Sequence, residues 1–319
     1  LEQVSVQKQA KMKMYAVRRR SFLKSFLKNW ELYVIISPVI AFYIIFEYIP
    51  MYGVQIAFKN FVATKGIWGS SWVGFDHFER FFNSYFFWRL IKNTLGLSLL
   101  QLAFGFPIPI LLALMINEVR LKLFKRFVQT VTYAPHFLST VVLVGMIVIF
   151  VSPQSGIVNQ IIVLFGGEPI SFMTQPEWFK SMYVASGVWQ QMGWSSIIYL
   201  AALAGIDPQL HEAAKVDGAS RLQRIWNVNL PGIMPTIVIL LILNMGSIMS
   251  IGFEKVYLMQ NDLNMDSSDV ISTYVYRTGI IQAQYSFSAA VGLFNSVINM
   301  ILLVVVNLIA KRLNETSLW

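Results

Sequence analysis

Six stretches of the chain, near residues 31–49, 93–116, 127–151, 181–204, 232–252 and 287–310, are each long and apolar enough to supply the roughly 20 residues a helix needs to cross a bilayer core. A bilayer offers backbone groups no water, so such segments must satisfy their hydrogen bonds internally, as helices do. The expected fold is therefore an all-α polytopic membrane protein with six transmembrane helices. Composition agrees: 56% of residues are hydrophobic and 13% charged, against about 25% charged in an ordinary soluble domain. Pro38, Pro107, Pro109, Pro135 and Pro235 fall inside or at the edges of these runs, where neighbouring helices can re-satisfy the freed backbone groups.

The charges orient the chain. Of its 25 lysines and arginines, eight precede the first span, four lie between spans two and three (Arg120, Lys122, Lys125, Arg126), three lie between spans four and five, and two follow span six (Lys311, Arg312). Cytoplasmic loops are the Lys- and Arg-rich ones, so both termini are expected in the cytoplasm. The formal net charge of +9 is then mostly a matter of topology, and no nucleic-acid partner is expected. A basic stretch before an apolar one resembles a secretory signal. Here the charged region is long, the apolar run spans a full bilayer and no small-residue cleavage site follows Pro50, so residues 31–49 are expected to remain as an uncleaved first helix. Phe22, Leu23, Phe26, Leu27 and Trp30 form a helical stripe beside Lys24 and Lys28. That pattern suits either an interfacial helix in contact with membrane lipid or a solvated basic tail. The organisation expected is a basic N-terminal segment 1–29, a six-helix transmembrane domain 30–312 with a polar loop 205–231, and a tail 313–319.

On the other side, residues 50–92, 152–180 and 253–286 are rich in aromatics, which fits an interfacial belt or a docking surface for a soluble partner. The sequence shows no internal repeat of the kind that builds inverted-repeat transporters. The chain has no cysteine, and His77, His136 and His211 lie far apart, so no metal site is expected. An ion-coupled transporter would need carboxylates within its spans, yet Glu47 sits at a span edge and spans three to six have none near their middles. No grouping of acid, base and nucleophile points to an enzyme.

The polar loop carries the most information. Residues 211–231 read HEAAKVDGASRLQRIWNVNLP. Asp207-Pro208 predicts a helix start, with Asp as N-cap and Pro at the first helical position. Asp217-Gly218 predicts its end, since Gly permits a left-handed backbone. Ser220 and Gln223 form a capping box for a second short helix carrying Leu222, Ile225 and Trp226 on one face. Two short helices, one with small alanines and one with apolar anchors, suit insertion into a partner groove.

Glu212-Ala213-Ala214, then Asp217-Gly218-Ala219, then Leu230-Pro231 resemble the EAA…DGA…LP signature of permease subunits of ABC importers. Val228-Asn229 stands where Ile-Thr is usual. The resemblance extends over about residues 30–312. YIPMYGVQIAFKNF, WVGFDHFERFF and Lys92-Asn93-Thr94 are similar to the carbohydrate branch, most of all to the first permease subunits of alginate importers, with His77 and Phe78 where relatives often have Asn and Tyr.

The resemblance implies a transport subunit of the bacterial inner membrane, not an enzyme, with no cofactor of its own. It implies a second homologous permease, two copies of an ATPase that bind ATP and magnesium, and an extracytoplasmic solute-binding protein. The chain lacks a GxxxxGK[ST] phosphate loop, in keeping with hydrolysis by partners. In the family the polar loop forms coupling helices docked on the ATPase. Glu212 is then the charge to pair with a basic residue, while Ala213, Ala214, Gly218 and Ala219 allow close approach and Leu230 and Pro231 lead into span five. Asp217 serves either that contact or the local turn.

The substrate implied is an oligosaccharide, either acidic (alginate or another uronate oligosaccharide) or neutral. Residue types that bind sugars occur within the spans at Trp189, Gln190, Gln191, Trp194, Asn244, Ser247, Asn295, Ser296 and Asn299. Of these, Gln191, Trp194, Asn244 and Ser247 are similar in placement to sugar-contacting positions of related permeases. Intramembrane Asn, Gln and Ser also join helices to one another. No Lys or Arg lies near the middle of spans three to six, which leaves Arg89 and Lys92 as candidates to meet a carboxylate, or as snorkelling anchors.

Overall fold

The computed structural model describes residues 28–314, and four of the five apolar residues of the N-terminal stripe, Phe22 to Leu27, lie outside them. The chain divides after Gln55 into two units. The first holds helix α1 (Trp30–Tyr43), which continues through a widened π turn at Ile44–Tyr48 into Ile49–Met51. Pro50 has no N–H to give the carbonyl of Phe46, and a widened turn accommodates that gap. The same device precedes Pro231, where Ile225–Asn229 forms a π turn.

From Ile56 onward the second unit is helical apart from a ribbon of two-residue strands, β1 (Lys59–Asn60) and β2 (Ser71–Trp72), paired antiparallel. Helix α2 (Asp76–Phe82) follows. Its Phe78 is buried against Ala57 and Ala290, and His77 Nε2 lies 3.1 Å from the Lys59 carbonyl, so the aromatic run here braces this loop. Helices α3 (Phe87–Gly105) and α4 (Pro107–Glu118) join end to end at Phe106 as one long apolar rod.

The third apolar run differs from the single span expected over 127–151. Helix α5 (Lys122–Tyr133) passes through a 3-10 turn at Ala134–Phe137 and restarts as α6 (Thr140–Phe150), bent by 103°. Pro135 removes a helical donor, Leu138 turns extended, and Ser139 caps the new helix by accepting from Val142 N at 3.3 Å.

Helix α7 (Ile157–Leu164) leads to α8 (Pro176–Ala204), the central helix, which packs on α3, α4 and α5. Then come α9 (Pro208–Val216), α10 (Arg221–Arg224), α11 (Leu230–Gly246), α12 (Phe253–Met259), α13 (Ile271–Tyr276) and α14 (Tyr285–Asn314). Among the described residues four helices are long and apolar enough to cross a membrane, or five if the bent pair counts as one span. α8 is outside that set despite its 29 residues, because Lys180, Gln190, Gln191, Ser195 and Ser196 interrupt its apolar surface.

Span five also departs from its expected end at 252. α11 stops at Gly246, and residues 247–252 are unwound. Their backbone is satisfied from neighbouring helices: Asn299 of α14 accepts from Met249 N at 2.9 Å and donates to Ser250 Oγ at 2.8 Å, and Ser98 of α3 donates to the Ile248 carbonyl. Irregular backbone at such depth survives only where protein or a cavity supplies partners.

Beyond it, Asp269 is fully buried between two guanidinium groups, Arg277 at 2.9 Å and Arg89 at 3.2 Å, while Arg89 also reaches the exposed Asp266 at 3.2 Å. Arg89 is thus engaged internally and is not the waiting carboxylate partner that the sequence left open. The core follows this frame in three main clusters: Phe81, Leu90, Ile271 and Phe287; Leu97, Phe179, Val256 and Met259; and Ile110, Ala113, Tyr199 and Ile233.

Candidate functional site

Two adjoining clefts, of about 410 and 320 Å³, meet at Gly105, Phe106, Ser195 and Asn244. Trp194 lines the first, Gln191 and Ser247 the second, and Asn244 both. Four of the nine residues noted for sugar contact therefore converge. Gln191 and Trp194 are three apart on α8 and share a face. Trp189, two residues before Gln191, points into a separate apolar cleft with Phe104 and Lys180. Asn295 lines a third recess beside Ser272 and Tyr276. Neither belongs to the central cleft. Gln190 and Asn299 are structural, the former donating to the Leu138 carbonyl at 3.0 Å, and Ser296 donates to the Gly292 carbonyl.

The bend in the third run adds a residue that sequence reasoning missed. The turn at Ala134–Phe137 lays the His136 ring flat on Trp194, centroids 4.3 Å apart and planes 2° from parallel, with Nδ1 at 2.9 Å from Gln191 Oε1. The stack depends on Gly193, since a Cβ there would sit 2.0 Å from the Thr132 carbonyl oxygen. A wide aromatic face beside amides and hydroxyls offers packing for a sugar ring and hydrogen bonds for its hydroxyls. Asn244 Nδ2 is bonded to its own helix at Leu240 O, 2.8 Å, which leaves its carbonyl oxygen to accept.

Behind the Tyr183 and Gly252 end of the second cleft lies Lys255 of α12, outside the cleft's lining. It is buried, donates to the Tyr183 carbonyl at 2.8 Å and lies 4.4 Å from the centre of the Tyr183 ring. Desolvation pushes its ammonium down to about 7. No apolar pattern or motif distinguishes this lysine in the sequence.

In the polar loop the expected caps are present. Asp207 accepts from Gln209 N at 2.9 Å to begin α9, and Ser220 and Gln223 exchange both capping-box bonds. Gly218 adopts φ +75°, and Ala219 N closes on the Ala214 carbonyl at 2.9 Å. These are backbone bonds, and the exposed Asp217 carboxylate makes no cap bond among the described residues. Glu212 and Ala213 are exposed, Ala214 and Ala219 half-buried, and Leu230-Pro231 starts α11 directly from the π turn. Leu222 and Trp226 are about two-thirds exposed, at 69% and 66%. Ile225 instead packs inward beside Leu203 and Ile233, so the three do not form one outward face. Leu222 and Trp226 are four apart, which keeps them together, while Ile225 rotates toward the core.

Residues 105–315 match the family described as binding-protein-dependent transport system inner membrane component. The chain is 45% identical over 302 residues to the polygalacturonan/rhamnogalacturonan transport system permease protein YteP of Bacillus subtilis, covering 95% of this chain and 94% of that protein. It is also 45% identical to protein LplB of the same organism, over 94% of each chain. Among solved structures, a chain of a bacterial ABC transporter involved in the import of the acidic polysaccharide alginate superposes with a TM-score of 0.86 at 44% identity, covering 92% of this chain and 99% of that one. A second matching structure, with the same score and identity, holds an alginate transporter in complex with alginate pentasaccharide-bound periplasmic protein.

The chain belongs to the binding-protein-dependent inner membrane components. It is a carbohydrate-type ABC-importer permease, a membrane-spanning transport subunit rather than an enzyme.

Proposed function

We propose that the chain forms one half of the pathway by which an ATP-driven importer moves an acidic oligosaccharide, alginate or another uronate oligosaccharide, across the inner membrane. The observation that carries this is the match over nearly the whole chain to an alginate importer at 44% identity, beside a 45% match to a polygalacturonan/rhamnogalacturonan permease. The cleft at Gln191, Trp194, Asn244 and Ser247 is where the sugar passes. His136 takes a part in it through its stack on Trp194.

The other half of the pathway is a second, homologous permease, and an extracytoplasmic binding protein delivers the sugar. The fold crosses the membrane six times with both termini in the cytoplasm, a topology supported by the distribution of lysine and arginine. In it α8 is a polar-faced span, and its polar side is turned to the pathway. Two ATPase subunits bind ATP and magnesium, and α9 to α10 dock on them as coupling helices through Leu222, Trp226 and Glu212. Each ligand then shifts the inward and outward states by its differential affinity.

The test is ATP hydrolysis by the complex reconstituted with its binding protein, measured across neutral and uronate oligosaccharides. Stimulation by uronates supports the reading, and stimulation by neutral sugars alone rejects the acidic substrate. For the loop, Glu212→Arg places like charge against a basic socket and is expected to lower transport at least tenfold by weakening ATPase association. Normal co-purification and uptake would remove Glu212 from that role.

A further inference from the structure

Buried cations are expensive unless they are paired, and in membrane proteins they mark substrate paths more often than scaffolding. Among the cations that pack inside the second unit, Arg89 and Arg277 share Asp269. Lys59 and Lys255 instead each rest on a backbone carbonyl at 2.8 Å and a ring face, and Lys255 is the one beside the cleft. It is 8% exposed, none of the ion pairs among the described residues includes it, and its contacts are a neutral carbonyl and a ring face. An ammonium has three donors, so this one keeps capacity to spare.

Lys255 lies just behind the wall of the polar cleft, close against Gly187 of α8: a Cβ on that glycine would lie 3.0 Å from Gln101 Oε1 and 3.2 Å from Lys255 Nζ, so both polar atoms press on the bare glycine. Gln101 lines the polar cleft, yet its Oε1 is buried without a hydrogen-bond partner. An orphaned amide oxygen and an ammonium without an ion pair thus lie close to one another, beside the Tyr183 and Gly252 end of the cleft that also holds Gln191 and Ser247. Among the described residues neither an anion nor a hydroxyl donor pairs with them. A uronate unit carries both, a carboxylate and ring hydroxyls.

We propose that Lys255 is the carboxylate-recognising residue of the translocation cleft, pairing with a uronate carboxylate while Gln101 accepts from a hydroxyl of the same sugar. This rests on the acidic-oligosaccharide reading above. The pairing requires no covalent step, only that the Lys255 side chain give up its weaker contact with the Tyr183 ring and turn to the adjoining cleft. A carboxylate beside the ammonium restores its charged form, which burial alone disfavours. A neutral sugar makes no such gain, so Lys255 imposes a preference for charge at a point where neutral hydrogen-bonding groups predominate.

The test compares uptake of a uronate oligosaccharide with uptake of its carboxyl-reduced counterpart, in proteoliposomes carrying the complete complex. Lys255→Met and Lys255→Gln remove the charge at similar volume. Because they remove an unpaired buried cation, both are expected to assemble with the ATPase. The preference for the acidic over the reduced sugar is expected to fall at least tenfold in each, mainly through a higher half-saturating concentration of the uronate. An unchanged preference in assembled variants overturns the assignment. So does failure of both variants to assemble, which would make Lys255 a structural cation. If the wild-type complex itself shows no preference for the acidic sugar, the substrate reading fails, and the role of Lys255 falls with it.

Discussion

Asp269→Ala is expected to destabilise the protein by about 3–5 kcal/mol, the usual cost of removing one partner from a buried ion pair. Asp269 is fully buried and receives both Arg89 and Arg277, with Thr273 Oγ1 at 3.3 Å from its other oxygen. Its loss leaves Arg277 without a counter-charge among the described residues and Arg89 with only the exposed Asp266, each arginine side chain being 25% exposed. The neighbouring substitution is the control. Asp266 touches the same Arg89 but is 82% exposed, so Asp266→Ala is expected to change stability by about 1 kcal/mol or less. Melting of the detergent-purified complex reads both, and equal melting temperatures for the two variants would refute the distinction.

Gly193→Ala is expected to act on the cleft as well as on stability. The new Cβ would lie 2.0 Å from Thr132 O and 2.3 Å from Thr132 C, so the end of α5 must move away from α8. Backbone cannot yield as a flexible side chain does, and overpacking of this kind costs about 1–3 kcal/mol or more. The turn that follows α5 carries His136, so the displacement also separates His136 from Trp194 and Gln191. A lower melting temperature together with a several-fold loss of sugar uptake is expected. A variant with wild-type melting and uptake would show that the contact is dispensable. Loss of stability with full uptake would separate Gly193 from the sugar path.

Other effects are local, and these were legible before any fold was known. The caps at Asp207 and Ser220 and the left-handed turn at Gly218 each involve residues within a few positions of one another. Hydrogen bonds of that range are written in the order of residues, whatever packs around them. The apolar runs were readable in part, because a bilayer imposes a length and the backbone must pair with itself: among the described residues four helices are long and apolar enough to cross it, while the third run is bent and the fifth stops at Gly246. Even there the periodic reading had a limit. It placed Ile225 with Leu222 and Trp226, and packing turned Ile225 inward.

What tertiary structure decided were events that depend on residues far apart in sequence. The 103° bend in the third run needed Gly193 on α8 to receive the end of α5. The unwinding after Gly246 needed Asn299 and Ser98 to supply its partners. Trp189 and Asn295 had suitable chemistry but faced other recesses, since the crossing of helices, not the type of a side chain, determines which faces meet. Lys255 lay unmarked in a segment expected outside the spans until α12 folded it against Tyr183. Run lengths and local caps in the sequence thus carried the membrane-length helices and the two capped helices of the polar loop, and the permease class was legible through the resemblance of its EAA…DGA…LP signature. Which polar residues share a cleft, and which cation lies beside it, follows from helix packing alone, because no short-range pattern records convergence.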